Sequence, residues 1–190
     1  GFTVEVIYNA HLNEKATINN ASGTTDNKNS VNLEYSNNPN ADGTGKTKDE
    51  TVYAFTFGII NKKVIDSVDG EPLADAGFKL YKDKACTQEY ELVKDDTLGA
   101  YRPAKAGESA VEMKSAADGP FPIKGLDAGT YYLKETTTPA GYTTAEVTTI
   151  KIDATHSIDN GGNPQVTLSQ DSTLDNKIVD KKGSNLPSTG

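Results

Sequence analysis

One short stretch restricts what this chain can fold into more than any other. In GTYYLKETTTPAGY, Gly129 to Tyr142, the two-residue alternation of a strand puts Tyr131, Leu133 and Glu135 on one face and Tyr132, Lys134 and Thr136 on the other. The first face is the apolar one, so the carboxylate of Glu135 is aimed at a core. An isolated charge cannot be buried there unless it is paired or neutralised, so the fold must bring another polar group to it. Two distant segments offer one. In YAFTFGIINKKVID the face holding Phe55, Phe57 and Ile59 continues to Asn61, Lys63 and Ile65, which aims Lys63 inward and Lys62 outward. In STLDNKIVD, Leu174, Asn176 and Ile178 share a face. Lys63, Glu135 and Asn176 are therefore expected to meet among apolar side chains.

The rest of the composition agrees with strands. Val, Ile, Thr and Tyr are plentiful, Trp is absent and Met occurs once, which predicts an all-β protein. A chain of 190 residues suits one large domain or two small ones. Alternating segments at 2–10, 30–36 and 50–60 are too few for a sandwich of about seven strands. Residues 1–57 are accordingly expected to be the C-terminal strands of a truncated preceding β-sandwich domain, with its earlier strands upstream. From residue 58 onward, candidate strands recur between turn signals such as SVDGEPL and IDNGGNP, enough for a complete β-sandwich over 58–180. Residues 181–190, KKGSNLPSTG, are expected to form a flexible tail.

Several functions are disfavoured. A net charge of -8 with no basic stripe argues against nucleic acid. No stretch reaches the ~20 apolar residues of a membrane-spanning helix. The single cysteine, Cys86, forbids an intrachain disulfide, so covalent stabilisation must use other chemistry; the residue is read as a packed small hydrophobe, with a free surface thiol as the alternative. His11 and His156 lack partners at metal-ligand spacing and are read as surface residues. The loop at 38–49 loosely resembles a calcium loop, with Asn38, Asn40 and Asp42 before Gly43 and Asp49 at the far end, but it is read as a plain connection. No metal or cofactor is expected.

The inward polar residues do suggest a reaction. Burial favours the neutral forms of both amine and acid, so a neutral Lys63 could attack the Asn176 carboxamide while a protonated Glu135 donates to its carbonyl and carries protons as ammonia leaves. Folding supplies the proximity, for which effective molarities reach about 10⁵ M or more. The product is an amide between side chains, made in a single turnover. The plainer alternative has Lys63 snorkelling from a strand end, Glu135 on a wet edge and Asn176 capping a turn. A second motif closes the chain: Leu186-Pro187-Ser188-Thr189-Gly190 fits the LPxTG signal cut by sortase transpeptidases between Thr and Gly.

KVIDSVDGEPLADAGFKLY, FPIKGLDAGTYYLKETTTPAGY and the closing DNKIVD together resemble the CnaB-type, immunoglobulin-like domains of Gram-positive surface proteins. With NSVNLEYSNNPN before them and LPSTG after them, the resemblance narrows to the backbone, or shaft, pilin subunits of sortase-assembled pili. It implies an intramolecular Lys-Asn isopeptide bond between Lys63 and Asn176, with Glu135 catalytic and Lys62 a competing donor. It also implies a bond in the preceding domain, for which Asn29 is the candidate. The implied partners are sortase, identical subunits in a head-to-tail fibre, minor pilins and host surfaces; the implied location is extracellular, on the cell wall as part of a pilus. An apolar span and a basic end normally follow such a sorting signal, so the chain reads as trimmed. The family's Tyr-Pro-Lys-like polymerisation motif has no match in this sequence. A wall-anchored adhesin is the alternative function, and an enzyme acting on an external substrate a more distant one.

Overall fold

The computed structural model describes residues 5–7, 9–10, 12–13, 15–19, 22–38, 40 and 42–183. Among them there is no helix, and the architecture is all-β, as an immunoglobulin-like, CnaB-type sandwich requires. Four strands come first: β1 (Lys28–Val31), β2 (Glu34–Ser36), β3 (Thr44–Lys46) and β4 (Glu50–Tyr53). They form two antiparallel pairs, β1 with β4 and β2 with β3. The sequence pattern suggested a strand at 2–10, but residues 5–7, 9 and 10 are not in one. The expected single strand at 50–60 is also interrupted, at residues 54–56, before β5 (Phe57–Ile65) begins. Here the chain backbone is committed elsewhere: Thr56 O accepts from Asn19 N at 2.6 Å and Ala54 N donates to Asn27 O at 2.8 Å.

After β5 come β6 (Gly77–Tyr81), β7 (Leu92–Asp95), β8 (Ala100–Pro103), β9 (Met113–Lys114), β10 (Ile123–Leu126), β11 (Gly129–Thr137), β12 (Thr148–Ile152), β13 (Ala154–Ile158), β14 (Pro164–Leu168) and β15 (Asp175–Asp180). Two sheets carry the core. One has the order β15-β5-β10-β8-β7 and the other β12-β11-β6-β9, while β13 and β14 make a separate hairpin through the Asn-Gly-Gly turn. Their facing side chains include Phe57, Ile59, Phe78, Leu80, Met113, Ile123, Leu133, Ile150 and Ile178, all buried. Such alternation is why these segments become strands: the inward set loses water against the opposite sheet while the outward set keeps it.

Two details position the site. The last strand β15 lies parallel to the first strand of the sandwich, β5, with Asn176 level with Asn61, Ile178 with Lys63 and Asp180 with Ile65. Just beyond β5 the chain turns sharply through Asp66, at φ 62°, to Gly70, where a Cβ would fall 1.8 Å from Ile65 O. That tight turn directs Asp66 N to Asp180 O at 2.7 Å and presents Asp66 Oδ1 to Lys182 N at 3.0 Å. The chain after β15 is also held: Thr143 N donates to Lys181 O at 2.9 Å, and Gly183 N to Gly141 O at 2.8 Å.

At the start of β6, which lies between β9 and β11, Gly77 leaves the space occupied by the Glu112 carboxylate, which accepts from the hydroxyls of Thr136 and Thr137 at 2.6 Å each and pairs with Lys114 at 2.6 Å. Partial burial works to raise its pKa, but the Lys114 ammonium and the two hydroxyls outweigh it and push it down to about 2. A lowered carboxylate contributes stability that is complete above its unfolded pKa and lost as pH falls through the folded one. Glu112→Gln should therefore destabilise the protein by about 1 kcal/mol at neutral pH, a screened figure for a partly wet group. In denaturant titrations the gap between variant and wild type should close between pH ~4.5 and ~2; a gap of constant size across that range would contradict this.

Candidate functional site: a buried lysine between two carboxyl groups

Local alternation carries three titratable side chains into the interior from three strands. Lys63 on β5 is 1% exposed, Glu135 on β11 is 3% exposed, and Asp180 at the end of β15 is fully buried. Lys62 points the other way and is half-buried. Lys63 Nζ donates to Glu135 Oε2 at 3.0 Å and also to Asp180 Oδ1 in a very short contact. Glu135 Oε2 accepts a second bond, from Ala145 N at 2.8 Å. The Phe78 ring, directly across the ladder from Glu135, lies 5.5 Å from the ammonium and closes that side to water.

The electrostatics are unbalanced. One cation faces two acids, and Glu135 Oε1 and Asp180 Oδ2 are buried with no hydrogen-bond donor. Desolvation raises the Asp180 carboxyl above the ordinary carboxylate range; Lys63 opposes this and the neighbouring Glu135 adds to it. An acid biased toward its neutral form thus sits against a primary amine, with a second carboxylate able to accept and return protons. That set can condense an amine with a carboxylic acid.

Lys63 and Glu135 are brought together as the sequence pattern suggests. Asn176 faces inward as well and is buried, but its Nδ2 donates to Asn61 Oδ1 at 3.2 Å and to Thr173 O at 3.3 Å. The contact with Lys63 belongs instead to Asp180, which the sequence reading did not single out. The signal was present: Asp180 continues the same two-residue alternation as Asn176 and Ile178. Lys63 is level with Ile178, so Asn176 and Asp180 lie one alternation step to either side of it.

The remaining candidates lie elsewhere. Asn29 is exposed on β1, opposite Val52. In the 38–49 loop, Asn38 Oδ1 accepts from Asn40 N at 3.0 Å, while Asp49 accepts from Asn32 at 2.9 Å and pairs with Lys46 at 3.4 Å. Cys86 sits half-buried in a turn at φ 54° rather than in the core. His156 packs against Phe55 with ring centroids 4.8 Å apart and planes tilted by 43°. His11 and the sorting motif Leu186 to Gly190 lie outside the described residues.

A two-sheet sandwich whose first and last strands run parallel, with a lysine and two acids sealed between the layers, defines a class of β domain built around a buried amine-acid cluster. The family model described as SpaA, prealbumin-like fold domain, matches residues 58–181, and the chain belongs to that family. No curated protein matches the chain. Among solved structures, BcpA, the major pilin subunit of Bacillus cereus, is 18% identical over 67% of this chain and 29% of its own, with a TM-score of 0.42. Shaft pilin spaA from Lactobacillus rhamnosus GG is 20% identical over 76% of this chain and 63% of its own, at 0.46. The group B streptococcus pilus 2b backbone protein is 24% identical over 76% of this chain and 50% of its own, at 0.46. The chain thus spans less than two thirds of the length of each.

Proposed function

We propose that this chain is part of a structural shaft subunit of a sortase-assembled surface fibre, and that its sandwich is locked by a side-chain amide between Lys63 and Asp180. The observation that carries the crosslink is the contact of Lys63 Nζ with both Asp180 and Glu135 inside a dry core. Asp180 enters as the carboxylic acid that burial favours. Glu135 takes a proton from the Lys63 ammonium, and the freed Nζ adds to Asp180 Cγ. Proton return through Glu135 lets the Asp180 hydroxyl depart as water: one C–N bond forms, one C–O bond breaks, and Glu135 remains protonated beside the new amide. Condensation removes two buried charges, so the finished site no longer carries their desolvation cost.

The fibre reading rests on family membership over residues 58–181 and on the LPSTG motif. Sortase would join the Thr189 carbonyl to a lysine of the next subunit, a head-to-tail contact that propagates rather than closes. The β1–β4 ribbon, with Val31, Leu33 and Val52 exposed, is read as part of a second β unit before residue 58. Immunogold electron microscopy of cells bearing the protein tests the reading. Label spaced along surface fibres is the expected result, and label confined to the wall or to fibre tips would refute it.

A further inference from the structure

The contact between Asp180 and Lys63 is made in one register of β15 on β5, which is held beyond the strand's end by the bonds of Asp66 to Asp180 O and Lys182 N, and inside the core by side chains alone. The two strands are parallel, lie far apart in sequence and share no hairpin turn, and β15 is the edge strand of its sheet. A slip of one residue is forbidden because it turns Ile178 out to solvent. A slip of two keeps every side chain on its face and preserves the backbone ladder. The inward face of β15 holds only Asn176, Ile178 and Asp180, so its apolar content discriminates weakly among such slips.

We infer that the buried Asn61–Asn176 amide pair is the register key of this strand pair, and thereby the positioning element that delivers Asp180 to Lys63; the inference rests on the crosslink proposed above. Asn61 is fully buried, donates to Phe121 O at 3.3 Å, and accepts from Asn176 Nδ2 at 3.2 Å at the matched ladder position. In the native register both amides are engaged. Slipped two residues one way, Asn176 faces Ile59, Asn61 faces Ile178 and Asp180 comes level with Lys63, so the acid stays beside the amine but a buried amide oxygen loses its donor. Slipped the other way, Asn176 comes level with Lys63 and Asp180 passes beyond the end of β5. An unsatisfied buried amide biases such an equilibrium by roughly tenfold or more, and against the second slip the pair keeps Asp180 rather than Asn176 beside the amine. The same bonds hold Asn176 itself away from the amine.

The test compares near-isosteric variants of the full chain, Asn176→Thr, which retains a donor for Asn61, and Asn176→Val, which does not. Crosslinking is followed during cell-free synthesis by acid quenching and peptide mapping. Melting temperatures are taken in a Glu135→Ala background, where no bond forms. The expected result is formation of the Lys63–Asp180 peptide about tenfold slower in Asn176→Val than in Asn176→Thr, with Asn176→Thr near wild type. Equal rates in the two variants overturn the inference. If Asn176→Val does not fold, Asn176→Thr decides: a rate near wild type supports the key, and tenfold slower crosslinking at an unchanged melting temperature overturns it. Absence of the linked peptide from the wild-type protein would instead remove the crosslink reading itself.

Discussion

Glu135→Ala should leave the protein without its Lys63–Asp180 linked peptide, whereas the wild type should carry it essentially to completion. Among the described residues the carboxylate is the one hydrogen-bonding side chain on Lys63 Nζ besides its proposed acceptor, and without it the amine has nowhere to leave its proton and the departing hydroxyl no donor. The loss extends to stability. The proposed bond would join residues 117 positions apart, and the loop-closure argument used for disulfides assigns such a link about 5 kcal/mol. For a sandwich of this size that corresponds to a fall in melting temperature on the order of 15–20 °C. Scanning calorimetry beside peptide mapping checks both. A Glu135→Ala protein that still shows the linked peptide would dispose of the proton-transfer role.

Asp180→Ala should be equally complete in its effect, although Asn176 is still present. Mapping the linked peptide identifies the acceptor directly: a Lys63–Asn176 peptide in this variant, or in the wild type, would make Asn176 the acceptor. Composition offers a second reading, since an aspartate acceptor releases water and an asparagine acceptor releases ammonia. Intact mass alone is insufficient, because water loss combined with hydrolysis of any one side-chain amide elsewhere has the same net composition as ammonia loss. The peptide map separates the cases.

Once made, such a bond changes the path of a pull along the chain. Load entering β5 would cross to β15 through the Lys63 side chain, and the residues between 63 and 180 would be spared extension. Residues 181–183 lie outside the closed loop and would stay under load, held by backbone hydrogen bonds to residues 141–143 and by Lys182 N donating to Asp66 Oδ1.

Much of this was legible along the chain. Period-two alternation is a local property, so the inward aim of Lys63 and Glu135, and the choice of Lys63 over Lys62, followed from neighbouring residues alone. The same alternation placed Asn176 on the inner face, and the all-β class followed from composition and turn residues. Interruptions were harder to see. Residues 54–56 look like strand but give their backbone hydrogen bonds to residues 19 and 27, partners that no local pattern names.

Which polar side chain of β15 touches Lys63 was beyond local reach. Asn176 and Asp180 occupy equivalent positions on one face of one strand, so no pattern within β15 ranks them. Their ranking depends on how β15 is set against a strand more than a hundred residues earlier, and on which buried amides find partners at that setting. Side-chain direction belongs to the strand, but register belongs to the pair. The pair exists only after the sandwich has closed.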